Sequence, residues 1–219
     1  MKLEGLKINF LGDSITEGVG ASSADKVYHA VLKKEAGLAE ARNYGISATR
    51  YAVQHNPQND YPDRNSFCER FGKMDDDADI VVVFGGTNDY GHGDAPLGGF
   101  DDRTPDTFCG ACHTLFSGLI RKYLGKPIVI ITPLHRTHEA RNTGDAKPVG
   151  VGTLKEYVDI IRRVAEYYSL PVLDLYATSG LQPEISEIKS AFMPDGLHPN
   201  DAGYRVIADK LRRFLENEI

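Results

Sequence analysis

Apolar residues fall into two patterns that alternate along the chain. Short runs such as Ile80-Val81-Val82-Val83-Phe84 and Ile128-Val129-Ile130-Ile131 are continuously apolar and rich in β-branched side chains. Such runs are expected of central strands covered on both faces. Further strands are predicted at residues 6–11, 42–44 and 172–175, the first with more alternation of apolar and polar positions. Helical spacing marks other segments: Leu154, Tyr157, Val158, Ile161, Val164, Ala165 and Tyr168 recur every three or four positions, as do Tyr204, Ile207, Ala208, Leu211 and Leu215. Each of these helices would cover one face of a sheet. The last is predicted to begin near Asp201, after Pro199-Asn200, because Asn or Asp can accept hydrogen bonds from a helix's first unpaired amides. The alternation predicts strand-helix-strand units and an α/β fold built on a parallel sheet. Neither an internal repeat nor a linker-like change of composition interrupts the 219 residues, so one domain over 1–219 is expected.

Two stretches resist regular structure: residues 89–104, rich in Gly and Asp, and residues 134–152, which mix His, Arg, Gly and Pro. Both follow predicted strand ends. In an open parallel sheet, ligands bind in the crevice beyond the carboxyl ends of the strands, so these loops are expected to wall a site.

Composition narrows the partners. The chain is 41% hydrophobic and 26% charged, with a net charge of -6 and no long Lys/Arg run. That balance argues against nucleic acid and against an anionic membrane surface. The first eleven residues mix Lys2, Glu4, Lys7 and Asn9 among apolar positions, which does not suit a secretory leader, and no stretch approaches membrane-spanning length. Three cysteines, Cys68, Cys109 and Cys112, are too few and too odd for a disulfide framework. A soluble, cytoplasmic protein is therefore expected.

Some motifs are best read plainly. Cys109-Gly110-Ala111-Cys112-His113 has the spacing of a covalent haem site, yet it lies in an apolar helical pattern with Phe108, Leu115, Phe116 and Leu119. Buried thiols are the better reading. His135 and His138 are spaced as metal ligands can be, but Arg136 and Arg141 beside them would oppose a divalent cation. Contact with polar parts of a substrate is preferred there. The acidic run Asp75-Asp76-Asp77 reads as a solvated turn without a role.

Chemistry concentrates at strand ends. The first strand runs into Gly12-Asp13-Ser14-Ile15-Thr16-Glu17-Gly18, which puts the Ser14 hydroxyl on a turn where a following helix offers free amides. Serine is too weakly acidic to attack an ester unaided; it needs a base in hydrogen-bond reach and a third group to hold that base. Asp195-Gly196-Leu197-His198 supplies both, because one turn can aim the carboxylate at Nδ1 and leave Nε2 facing the serine. A tetrahedral intermediate also needs donors for its oxyanion. Gly85-Gly86-Thr87-Asn88-Asp89 offers the Asn88 side-chain amide after the third strand, and Asn43-Tyr44-Gly45-Ile46 offers the Gly45 amide after the second. Asp13, Gly86 and His135, beside these groups, are candidate substrate contacts.

These four segments, in this order, resemble the conserved blocks of the SGNH (GDSL-type) hydrolases. The serine block maps to Ser14, the glycine block to Gly45, the Gly-x-Asn-Asp block to Gly86 and Asn88, and the Asp-x-x-His block to Asp195 and His198. The resemblance implies a flavodoxin-like α/β/α sandwich with five parallel strands, and an oxyanion hole made by the amides of Ser14 and Gly45 and the Asn88 side chain. It also implies no metal and no cofactor, and hydrolysis of acyl esters, sometimes on sugars or lipids. Two departures stand out: Asp-Ser-Ile-Thr replaces Asp-Ser-Leu, and Ser47 and Ala48 stand where the second block usually has a later glycine.

The reaction expected is serine-dependent hydrolysis of a small-molecule ester with Ser14, His198 and Asp195 as catalytic residues. The polar loops favour a short acyl group such as acetyl on a polar or carbohydrate alcohol. Two rival readings fit less well. A metal-dependent phosphoesterase would use Asp13, Asn88, Asp89 and histidines, but the paired Asp-x-His and His-x-His ligands are missing. A non-enzymatic nucleotide-binding module fits the architecture, but the first loop has neither glycine pattern that cradles phosphates.

Overall fold

A computed structural model describes residues 1–54, 66–142 and 152–219. Its sheet is built from β1 (Lys7–Gly12), β2 (Glu40–Gly45), β3 (Ile80–Phe84), β4 (Ile128–Ile131) and β5 (Val172–Leu173). All pairs are parallel, in the order β2-β1-β3-β4-β5. That order with helices on both faces is the flavodoxin-like three-layer α/β/α sandwich. The helices are α1 (Ser14–Glu17), α2 (Tyr28–Ala36), α3 (Phe67–Arg70), α4 (Thr87–His92), α5 (Phe108–Lys122), α6 (Leu154–Tyr167), α7 (Leu175–Thr178), α8 (Ser186–Phe192) and α9 (Asp201–Glu218). Among the described residues none is long and apolar enough to cross a membrane.

Side-chain alternation splits the core in two. Ile80, Val82 and Phe84 of β3 join Phe10, Val129 and Ile131 in packing against Leu32 of α2 and Ile207, Leu211 and Leu215 of α9. Val81 and Val83 face the other way, with Ile128 and Ile130, onto Leu115 and Phe116 of α5 and Val158 and Ile161 of α6. The two helices read from spacing thus lie on opposite faces, as a strand's twofold side-chain period requires.

Strands β3 and β4 have the predicted bounds, because burial on both faces selects an unbroken apolar run. Strand β1 is as buried as they are although its sequence alternates: Asn9 is fully buried, and its Nδ2 donates to the Asp75 carbonyl at 2.8 Å and to Tyr123 Oη at 3.1 Å. Strand β2 extends past the predicted 42–44 at both ends. It is a half-exposed edge, so Glu40, Arg42 and Asn43 are tolerated and give no apolar signal. Strand β5 stops at Leu173 rather than 175, because Asp174 caps the next helix, its Oδ1 accepting from the Ala177 amide at 3.2 Å.

One further reading is corrected. The stretch 89–104 does not begin as loop, since α4 continues through His92; Asp89 near its start accepts the Tyr51 amide at 2.9 Å and the Ala52 amide at 3.1 Å. The acidic run is the exposed turn expected, and its carboxylates meet basic side chains: Lys7 reaches Asp77 at 2.7 Å, Arg42 reaches Asp77 at 2.6 Å and Asp75 at 3.4 Å, and Lys122 pairs with Asp76. These pairs are exposed and contribute little to stability individually. Of the stretch 134–152, residues 143–151 lie outside the described residues.

Candidate active site

Strand β1 delivers Ser14 to the first position of α1. Asp13 caps that helix, its Oδ1 accepting the Ile15 amide at 3.0 Å. The first amides of a helix have no partner within it, so the Ser14 amide is available to an anion beside its own hydroxyl. Ser14 is 6% exposed, reachable yet held.

Asp195 and His198 arrive from the turn between α8 and α9. Oδ1 of Asp195 accepts the amides of Leu197 at 2.8 Å and His198 at 2.7 Å, and its Oδ2 lies 2.6 Å from His198 Nδ1. Those bonds fix the ring and assign its proton to Nδ1. Partial burial pushes the Asp195 carboxyl up, but the ring and the two amides together hold it below the usual carboxylate range. His198 Nε2 then lies 3.0 Å from Ser14 Oγ, although 184 positions separate the two residues. An array of this kind can take a proton from a hydroxyl as it attacks a carbonyl carbon.

Asn88 is the second residue of α4, after β3. The pairing of β1 with β3, Gly12 opposite Phe84, brings the Asn88 and Ser14 turns to the same end of adjacent strands. Gly86 makes the turn possible: its φ of 105° is strained for any residue with a Cβ. Asn88 is 4% exposed; its Nδ2 donates to the Thr49 carbonyl at 3.1 Å and its Oδ1 lies 3.1 Å from His92 Nε2.

The other sequence-selected residues fare differently. The Gly45 amide is spent: it donates to Asn43 Oδ1 at 2.8 Å, the short-range bond that an Asn two positions back readily makes. What requires glycine there is close approach, because a Cβ would sit 2.2 Å from the Glu17 amide nitrogen. Asp13 is 1% exposed and serves as a cap, so it does not face a substrate; burial pushes its carboxyl up to about 7 against the opposing pull of the Ile15 amide and Arg70. Gly86 is buried against Ile161 and Pro133. His135 is tied into the fold, Nδ1 at 2.7 Å from Glu139 Oε1 and its ring 4.0 Å from that of Tyr176. His138 is exposed. Among the described residues no three His, Cys, Asp or Glu side chains gather as metal ligands. Asp89, a candidate ligand in the phosphoesterase reading, accepts the Tyr51 and Ala52 amides, one on each oxygen. Cys109 and Cys112 are buried in α5, and burial pushes both thiols up, away from reactive thiolate.

Sequence reasoning missed Arg70. Its buried guanidinium donates to the carbonyls of Gly12, at 2.6 Å, and Tyr44, and to Thr49 Oγ1 at 2.8 Å. It thus ties together the ends of β1 and β2 beneath the serine turn. Burial lowers its pKa to about 10, with the Asp13 and Glu17 charges opposing that fall. A lone Arg on a four-residue helix carries no spacing signal that could reveal this. His92, which contacts Asn88, and Arg50, which contacts His92, likewise carry no spacing signal.

Known proteins share this fold. A protein from Lactobacillus plantarum of known crystal structure is 30% identical, with 99% of both chains covered and a TM-score of 0.84. The lipase/acylhydrolase from Enterococcus faecalis is 21% identical, covering 97% of this chain and 96% of its own, with a TM-score of 0.66. A two-domain esterase active on acetylated mannans is 19% identical over 97% of this chain and 49% of its own, at a TM-score of 0.66. No curated protein matches the sequence. Residues 10–206 match the GDSL-like Lipase/Acylhydrolase family. A parallel sheet that carries a serine, an asparagine and an Asp-x-x-His turn at one end, within a sequence matched to that family from β1 into α9, makes this chain a member of the GDSL-like lipase/acylhydrolases and a carboxylic ester hydrolase.

Proposed function

We propose that the chain hydrolyses esters through an acyl-enzyme on Ser14, with His198 as general base and then general acid, and Asp195 holding its tautomer. The observation that carries this reading is the continuous chain from Ser14 Oγ to His198 Nε2 at 3.0 Å and from His198 Nδ1 to Asp195 Oδ2 at 2.6 Å. His198 takes the Ser14 proton as Oγ attacks the acyl carbon. The oxyanion is held by the Ser14 amide and the Asn88 side chain, and the alcohol leaves with the proton from His198. Water, activated by the same imidazole, then releases the acid. Gly45 is not among the donors, since its amide is committed to Asn43.

The substrate we favour is a short acyl ester, such as an acetyl, of a polar or carbohydrate alcohol. Its support is the character of the flanking segments, 46–50, 93–94 and 135–138, which are mostly small or polar. The mannan esterase with the same fold indicates that this scaffold can host such chemistry. Three free thiols support a cytoplasmic, reducing setting, with residues 1–219 acting as one domain. A fluorophosphonate should label Ser14 covalently, and Ser14→Ala should lose the label and about four to six orders of magnitude in kcat. Wild-type turnover by Ser14→Ala would end the mechanism. A preference for nitrophenyl esters with acyl chains beyond about eight carbons would remove the short-acyl assignment.

A further inference from the structure

Asn88 can serve as an oxyanion donor only if its amide nitrogen, not its oxygen, is turned to the substrate, and Asn has no intrinsic preference between the two orientations. Three neighbours decide it. His92 lies one helical turn after Asn88, on the same face of α4, so its ring reaches back: Nε2 is 3.1 Å from Asn88 Oδ1. Arg50, in the turn after β2, points its Nη2 at His92 Nδ1, and the same nitrogen donates to the His92 carbonyl at 3.3 Å. A guanidinium has donors only. His92 Nδ1 must therefore present a lone pair, the ring proton sits on Nε2, and Nε2–H donates to Asn88 Oδ1. On the other side the Thr49 carbonyl accepts from Asn88 Nδ2 at 3.1 Å. Turning the amide over would set its oxygen against the Thr49 oxygen and its NH2 group against the His92 N–H, losing two hydrogen bonds at once, one of them buried.

We infer that His92 is a positioning residue for the reaction, fixed in its Nε2–H tautomer by Arg50, and that the Arg50–His92–Asn88 chain holds the second Asn88 N–H toward the oxyanion. The inference rests on the oxyanion role given to Asn88 above. Hydrogen bonds in such a chain polarise one another, so the half-buried Arg50 cation also strengthens Asn88 as a donor when negative charge develops on the substrate.

The test compares Asn88→Ala, His92→Phe, His92→Gln and the Asn88→Ala/His92→Phe double variant on nitrophenyl acetate, with thermal unfolding of each. Asn88→Ala should lower kcat by roughly a hundredfold or more, and His92→Phe by about 10- to 50-fold with KM changed less than about threefold. His92→Gln, whose amide can still donate to Oδ1, should regain most of the loss. The double variant should be no slower than Asn88→Ala alone, because the two residues act as one unit. In the unmutated protein, 15N-histidine spectra should show His92 neutral and protonated at Nε2. An unchanged kcat in Asn88→Ala would remove the oxyanion reading itself. A slow Asn88→Ala beside a fully active His92→Phe, losses that multiply in the double variant, or an Nδ1–H tautomer in the spectra would overturn the role of His92 alone.

Discussion

Replacing Asp13 by Asn should change how stability depends on pH, by an amount the structure sets. The carboxyl of Asp13 is 1% exposed, and burial raises its pKa from 3.8 to about 7, although the Ile15 amide and the Arg70 cation pull the other way. The folded protein therefore keeps this proton to higher pH than the unfolded chain does. Stability from Asp13 is full below about pH 4 and is lost as the pH rises through about 7, for a total near 4 kcal/mol at about 1.4 kcal/mol per unit. Asparagine has the same shape, stays neutral and keeps an oxygen for the Ile15 amide. Between pH 5 and 8 the wild type should thus lose about 2.5 kcal/mol relative to Asp13→Asn, from the same two pKa values. Urea unfolding of both proteins at pH 5, 6, 7 and 8 reads the difference directly. His29 acts in the opposite sense: burial lowers its pKa to about 4, so the stability it confers is present above about pH 6.5 and falls away as pH drops. It is common to both proteins and cancels. A difference constant to within about 0.5 kcal/mol over this range would refute the claim that Asp13 is a buried, partly protonated cap.

Two further outcomes follow from local geometry. Gly45→Ala would put a Cβ 2.2 Å from the Glu17 amide nitrogen, where backbone rather than a mobile side chain must yield. Its urea midpoint should correspond to a loss of about 2 kcal/mol or more, and an unchanged midpoint would show that the turn gives way freely. Asp195→Asn keeps an oxygen for the Leu197 and His198 amides but turns an NH2 group toward His198 Nδ1. The ring proton should move to Nε2, where the Ser14 hydroxyl needs an acceptor, and kcat should fall by about 10³–10⁴ with the fold intact by circular dichroism; a fall of less than about tenfold would refute the tautomer argument.

Whatever depends on spacing was legible in the chain before folding was considered. β-branched runs located β3 and β4, helical periodicity located α6 and α9, and the three-residue interval from Asp195 to His198 defined a dyad, because a single turn suffices to close it. Polar composition hid the edge strand β2, and a capping Asp174 ended β5 early, since side-chain hydrogen bonds override a weak apolar pattern there. The rest is set by how the chain folds in three dimensions. Ser14 meets His198 because the parallel order β2-β1-β3-β4-β5 brings the end of β1 to the turn that enters α9. The tie of Gly45 to Asn43, the burial of Asp13 above Arg70, and the hold of Arg50 and His92 on Asn88 have no period or motif. They arise where buried polar groups must find partners among residues that folding happens to bring within about 3 Å, and no local pattern records that requirement.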